Sequence, residues 1–152
     1  MAIRMKTTVR LKAEADCPTH SVANITIRDL AFAIDEPVER GGTNTGPTPT
    51  DTALAALAGC TNVIGHKCAG KLGVDIGHLQ ISIEAEFDRR GVTLAEEIDV
   101  PFVAIAQHVT CSGAATEAEI ATVAAEVEKF CPLAKLFVGA GTILTTTWEK
   151  AH

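Results

Sequence analysis

Five cysteines and five histidines are the residues of this sequence with the most chemistry to offer. Cys60 lies deep in a run of small, uncharged residues (ALAALAGCTNVIG), between Gly59 and Thr61. A free cysteine there is either a small core residue or a nucleophile held away from bulk water, and spacing does not separate the two. Cys131 carries more local information. It ends one amphipathic stretch and precedes Pro132, where it can cap the next helical turn and receive unpaired backbone N–H groups on its sulfur. That placement predicts a lowered thiol pKa, and the alternative is a cysteine that fills a helix-to-helix corner. Cys68 stands eight positions after Cys60, about 80° further round a helix, and reads as core. Cys111, beside Ser112 and Gly113, and Cys17, within Asp16-Cys17-Pro18-Thr19-His20, read as incidental.

The histidines, at 20, 66, 78, 108 and 152, form no H-x-x-x-H pair, and no two cysteines form C-x-x-C. Cys17-Pro18-Thr19-His20 is one half of a zinc site without its other half. There is no G-x-G-x-x-G and no phosphate loop. No metal or cofactor is expected, and no Ser-His-Asp hydrolase.

At 152 residues, with 47% hydrophobic and 21% charged residues, the chain reads as a single globular domain spanning 1–152. A net charge of −6 argues against nucleic acid or an anionic membrane as the main partner. The longest uncharged stretch, Thr52 to His66, is too short to span a bilayer. The N-terminus lacks the apolar segment of a secretory signal, so the expected address is the cytoplasm and the cysteines are expected as thiols. In that compartment a reversible disulfide would be a candidate for catalysis.

The elements that must position these residues alternate in type. TTVRLKAEA and SVANITIRDLAFAID have the period of strands, with a Pro-containing turn between them. ERGGTNTGPTPTD is a loop. From Pro49 to about Leu72 the sequence predicts a helix, with Pro in its first turn and Asp51 favouring the helix dipole. A helix so apolar all round is expected to be buried in the middle of the fold. HLQISIEAEF is a strand, RRGVTLAEEID an irregular segment, and PFVAIAQHVTCSG a strand. Thr116 and Glu119 form a capping box ahead of a helix with Ile120, Val123, Ala124 and Val127 on one stripe. Cys131-Pro132 interrupts it, PLAKLF forms a short helical turn, and TILTTTWEK is a closing strand. The order βββ–α–ββ–α–β is that of an α+β fold.

Two segments resemble one family. GGTNTGPTPTDTALAALAGCT has the loop, acidic residue and small-residue helix ending in Cys of the OsmC/Ohr signature, and EVEKFCPLAKLF resembles its second signature. The two cysteines are 71 positions apart, which also fits. The loop is closest to the OsmC-like branch. The resemblance implies an OsmC-like fold: antiparallel sheets packed around two long central helices in an intertwined homodimer. It implies a thiol-dependent peroxidase that reduces organic hydroperoxides, with Cys60 peroxidatic and Cys131 resolving. An external dithiol, a lipoyl or thioredoxin-like protein, would restore both thiols. The alternative is an OsmC-like small-molecule binding or redox-sensing protein with little peroxidase activity. Asp51 stands where the family usually has Glu. The family's arginine in the first hairpin has no counterpart, and Arg40 is the first choice to replace it, with Arg28 and His20 as alternatives.

Overall fold

The computed structural model describes residues 5–152; the first four positions of the expected 1–152 domain lie outside the described residues. The chain divides between Ala53 and Leu54 into two compact units.

The first unit is built on an antiparallel sheet of β1 (Glu14–Asp16), β2 (Ala23–Ile27) and β3 (Leu30–Ile34), in that order. Ile27 pairs with Leu30, so Arg28 and Asp29 alone make the turn, and Arg28 takes a left-handed φ of 57° to close it. The strand expected over TTVRLKAEA shrinks to three residues. Its partner β2 begins at Ala23 and ends at Ile27, so past Glu14↔Thr26 there is almost no neighbouring edge left to pair with. After β3 a short 3₁₀ turn, Val38–Arg40, leads into the Gly/Thr/Pro loop.

Helix α1 (Pro49–Leu72) starts in the first unit and runs into the second. It starts and stops where the sequence predicts. Thr48 Oγ accepts the Asp51 N–H at 3.1 Å while the Asp51 carboxylate accepts the Thr48 N–H at 3.4 Å, a reciprocal cap. At the other end Gly73 adopts φ 69°, and the Val74 N–H returns to the Ala69 carbonyl.

The second unit packs α1, α2 (Glu117–Phe130) and α3 (Pro132–Gly139) with a sheet of β4 (Leu79–Phe87), β5 (Phe102–Cys111) and β6 (Ile143–Lys150). β4 alternates strictly, Ile81, Ile83 and Ala85 half-buried and Gln80, Ser82 and Glu84 exposed. β5 buries Ile105, Gln107, Val109 and Cys111. One pairing departs from the antiparallel expectation: β6 runs parallel to β5, from Ala104↔Ile143 to Cys111↔Lys150. The reason lies in the connection. α2 and α3 together form a crossover that returns the chain to the end of the sheet from which β5 set out. α2 carries the predicted capping box and buries Ile120, Val123 and Val127. Each such side chain contributes roughly 1.5–3 kcal/mol.

The expected all-round burial of α1 is not what the chain has. Leu57, Thr61, Gly65, Cys68 and Ala69 are buried, but Ala56, Gly59, Val63 and Gly70 are exposed on the opposite side. Among the described residues no helix is long and apolar enough to cross a membrane.

Candidate active site

Cys60 and Cys131 come together. Cys60 projects from the side of α1, between its buried and exposed stripes, and is half-exposed. Cys131 sits at the junction of α2 and α3, where Pro132 forces the residue before it out of helical geometry, to φ −71° and ψ 110°. The junction is firmly built. The Cys131 N–H donates to the Val127 carbonyl at 2.9 Å, closing α2, and its own carbonyl accepts from Lys135 at 3.1 Å, opening α3. α3 is held to the sheet by Phe137, whose ring meets Phe102 edge-on at 5.2 Å, and Phe102 in turn meets Phe87 at 5.0 Å. The Cys131 thiol donates to Cys60 Sγ across 3.4 Å.

Cys131 has zero exposure. Its sulfur also accepts the Ala134 N–H at 3.5 Å, the N-cap contact that the sequence implies. The expected consequence is reversed, however. Burial pushes the Cys131 thiol above its ordinary value and the bond to Cys60 adds to that, outweighing the Ala134 N–H. Cys131 is therefore a thiol that holds its proton and points it at Cys60. Cys68 is buried as expected and Cys111 is buried too, each pushed up by burial with a nearby glutamate adding, Glu126 and Glu117 respectively. Cys17 is exposed in the β1–β2 loop.

Asp51 and Arg40 belong to the first unit, and each has a partner there. The Asp51 carboxylate serves the cap of α1. Arg40 Nε pairs with Glu36 at 2.7 Å, one helical turn away. Arg28 is taken up by the hairpin turn, and His20 Nε2 lies 3.1 Å from the Gly41 carbonyl.

The sequence reading missed Asp35, the fully buried carboxylate at the end of β3. Its oxygens accept the Glu36, Thr43 and Thr45 backbone N–H groups at 2.7, 3.0 and 3.1 Å, and the hydroxyls of Thr43 and Thr45 at 2.5 and 3.0 Å. The Gly/Thr loop is wound round this one side chain. It passes so close to the strand that a Cβ on Gly46 would lie 2.1 Å from the Ala33 carbonyl oxygen. The signal was present: a strand ending in Asp, then a loop of hydroxyl residues that need an acceptor. Those hydrogen bonds, Thr43 foremost, hold Asp35 far below the usual carboxylate range. A carboxylate depressed in the folded state adds stability above its unfolded pKa, and that stability is lost on acidification below it. Wild-type protein is thus expected to lose urea resistance from about pH 4 downward, and Asp35→Asn to start weaker and lose less. Equal losses between pH 6 and pH 3 would show that Asp35 does not govern the acid limb.

A family model described as OsmC-like protein matches residues 42–147. Among curated proteins no sequence matches the chain. Among solved structures, it is similar to an OsmC-like protein from Mycoplasma pneumoniae, with 18% identity, TM-score 0.79, and 95% of this chain and 99% of that one covered. It is also similar to an organic hydroperoxide resistance protein from Elizabethkingia anophelis (15% identity, TM-score 0.72, 97% and 100% covered). A third is the organic hydroperoxide resistance protein OhrB of Bacillus subtilis (20%, TM-score 0.58, 92% and 98%). At these identities the likeness establishes a shared fold.

Proposed function

The chain belongs to the OsmC family, and on that premise we propose that it is a thiol-dependent peroxidase that reduces organic hydroperoxides in oxidative-stress defence. The observation that carries the proposal is the 3.4 Å contact between the sulfurs of Cys60 and Cys131. The exposures support the division of labour that the resemblance implies. Half-buried Cys60 is the thiol a peroxide meets, and fully buried Cys131 has the Cys60 sulfur 3.4 Å away.

In this reading the Cys60 thiolate attacks the terminal oxygen of ROOH and the O–O bond breaks. The alkoxide leaves, takes a proton as ROH, and Cys60 becomes a sulfenic acid. Cys131 then attacks the Cys60 sulfur, and the hydroxyl group departs as water with the Cys131 proton. The two sulfurs close from 3.4 Å to about 2.05 Å. An external dithiol donates the two electrons that reopen the disulfide. A homodimer belongs to the same reading. The exposed side of α1 carries Ala56, Gly59, Val63 and Gly70, flanked by exposed His66 and Lys67, and a Cβ built on Gly59 or Gly70 meets nothing of its own chain within 4 Å.

A second reading is an OsmC-like binding or redox-sensing protein with little peroxidase activity. It is favoured by the engagement of Arg40 with Glu36, since an activating arginine would first have to leave that ion pair. One equivalent of cumene hydroperoxide added to the reduced protein decides between them. The peroxidase forms a Cys60–Cys131 disulfide within seconds, found by mass spectrometry of the unreduced peptides. Two thiols still free after that treatment would reject it in favour of the second.

A further inference from the structure

α1 is an unusual helix on which to mount a reacting group. Its buried stripe has one large side chain, Leu57, and beyond it only Thr61, Gly65, Cys68 and Ala69, whose small side chains interlock weakly with what they face. Packing alone therefore fixes the rotation of such a helix about its own axis less firmly than a stripe of large side chains would. Two contacts in the second unit fix it. The Trp148 ring occupies the notch at Gly65, where a Cβ would come within 3.0 Å of the ring. One turn earlier, the Thr61 hydroxyl lies 2.9 Å from the Leu57 carbonyl and 3.0 Å from Gln107 Oε1 on β5. Thr61 is 1% exposed and Gln107 4%. This is a polar tie across an otherwise apolar seam, 46 positions apart in the chain.

Thr61 is the residue after Cys60, about 100° further round the helix. A cysteine sulfur stands roughly 5 Å from the helix axis, so a 20° rotation of α1 would carry it about 1.7 Å. Set against a sulfur–sulfur contact of 3.4 Å, a swing of that size decides whether Cys131 can reach Cys60. We propose that Thr61 and Gln107 are positioning residues that hold Cys60 at the angle from which Cys131 captures it. The inference rests on the peroxidase reading above. It concerns the second step, disulfide closure, more than the first, because a hydroperoxide diffuses to wherever the sulfur points and Cys131 is fixed at its helix junction.

The test follows a single oxidation in wild type, Thr61→Ser, Thr61→Val and the Thr61→Val/Gln107→Leu double variant, with dimedone present to trap sulfenic acid. Thr61→Val alone leaves a buried amide oxygen without a donor and destabilises the protein. The double variant removes both partners, and such a swap is close to neutral for folding. Disulfide closure is expected to slow about tenfold or more in both valine variants, with the dimedone adduct accumulating on Cys60. Thr61→Ser, which keeps the hydroxyl, is expected to close at the wild-type rate. A double variant that closes as fast as wild type, or a serine variant as slow as the valine, would overturn the proposal. If wild type forms no Cys60–Cys131 disulfide, the peroxidase reading itself fails and the positioning role falls with it.

Discussion

Cys60→Ser is expected to lower hydroperoxide consumption by a factor on the order of 10³ or more, and Cys131→Ser to consume about one equivalent and then stall. The asymmetry follows from where the two sulfurs sit. A hydroxyl in place of the Cys60 thiol is a far weaker nucleophile, and Cys131 cannot take over because it has zero exposure and a hydroperoxide does not reach it. Removing Cys131 leaves the half-exposed Cys60 free to react once. Its sulfenic acid then lacks the thiol that stood 3.4 Å away, and with one equivalent of hydroperoxide it persists. Following residual hydroperoxide and the intact protein mass together checks both halves. The Cys131→Ser protein gains one oxygen, trapped by dimedone at Cys60, and the Cys60→Ser protein gains none. Full turnover in Cys60→Ser would remove Cys60 from the chemistry, and unchanged turnover in Cys131→Ser would remove the resolving step.

The parts of this site legible in the sequence are those set by neighbours along the chain. Pro49 and Gly73 bound α1, the Thr116/Glu119 box opens α2, and Pro132 breaks the helix at Cys131, because caps and proline act within a turn of themselves. What depends on distant residues was not legible. Nothing in TTVRLKAEA says that its partner strand stops at Ile27. The parallel pairing of β6 depends on the crossover and not on the alternation of ILTTTWEK, which would look the same either way. The pKa of Cys131 shows the limit most directly. The N–H donors that lower it, of Ala134 and Leu133, are three and two residues away and visible in the sequence, whereas the burial that raises it comes from packing that local sequence does not display. For Asp35 the donors are local, at 43 and 45, yet only the folded loop turns them onto one carboxylate. The Cys60–Cys131 contact was foreseen through the resemblance alone, since neither residue's surroundings name the other.

If the chain forms the proposed homodimer through α1, Val63→Arg is expected to turn it into a monomer. Val63 lies on the exposed side of α1, 51% exposed in the single chain, with Ala56, Gly59 and Gly70 beside it and Lys67 one turn on at the edge of the same side. Small residues along such a stripe let a second helix approach closely. If two copies of α1 pair there about a two-fold axis, each substitution is counted twice. An uncompensated charge at a closed interface costs about 3–5 kcal/mol, so two cost at least about 6, and each 1.4 kcal/mol is a factor of ten in Kd. The expected loss is on the order of 10⁴ in Kd, enough to dissociate a tight dimer at micromolar concentration. The folded chain should tolerate the change, because the arginine starts from a position already open to water. Sedimentation of wild type, Val63→Ala and Val63→Arg reads the result: the alanine variant stays dimeric and the arginine variant sediments as a folded monomer. A monomeric wild type would reject the homodimer, and with a dimeric wild type a Val63→Arg protein of unchanged mass would place the interface elsewhere and leave the open face of α1 without an occupant. Because both sulfurs belong to one chain, the monomer keeps the Cys60–Cys131 contact, and any loss of peroxide reduction that accompanies dissociation would then measure what the partner adds around Cys60.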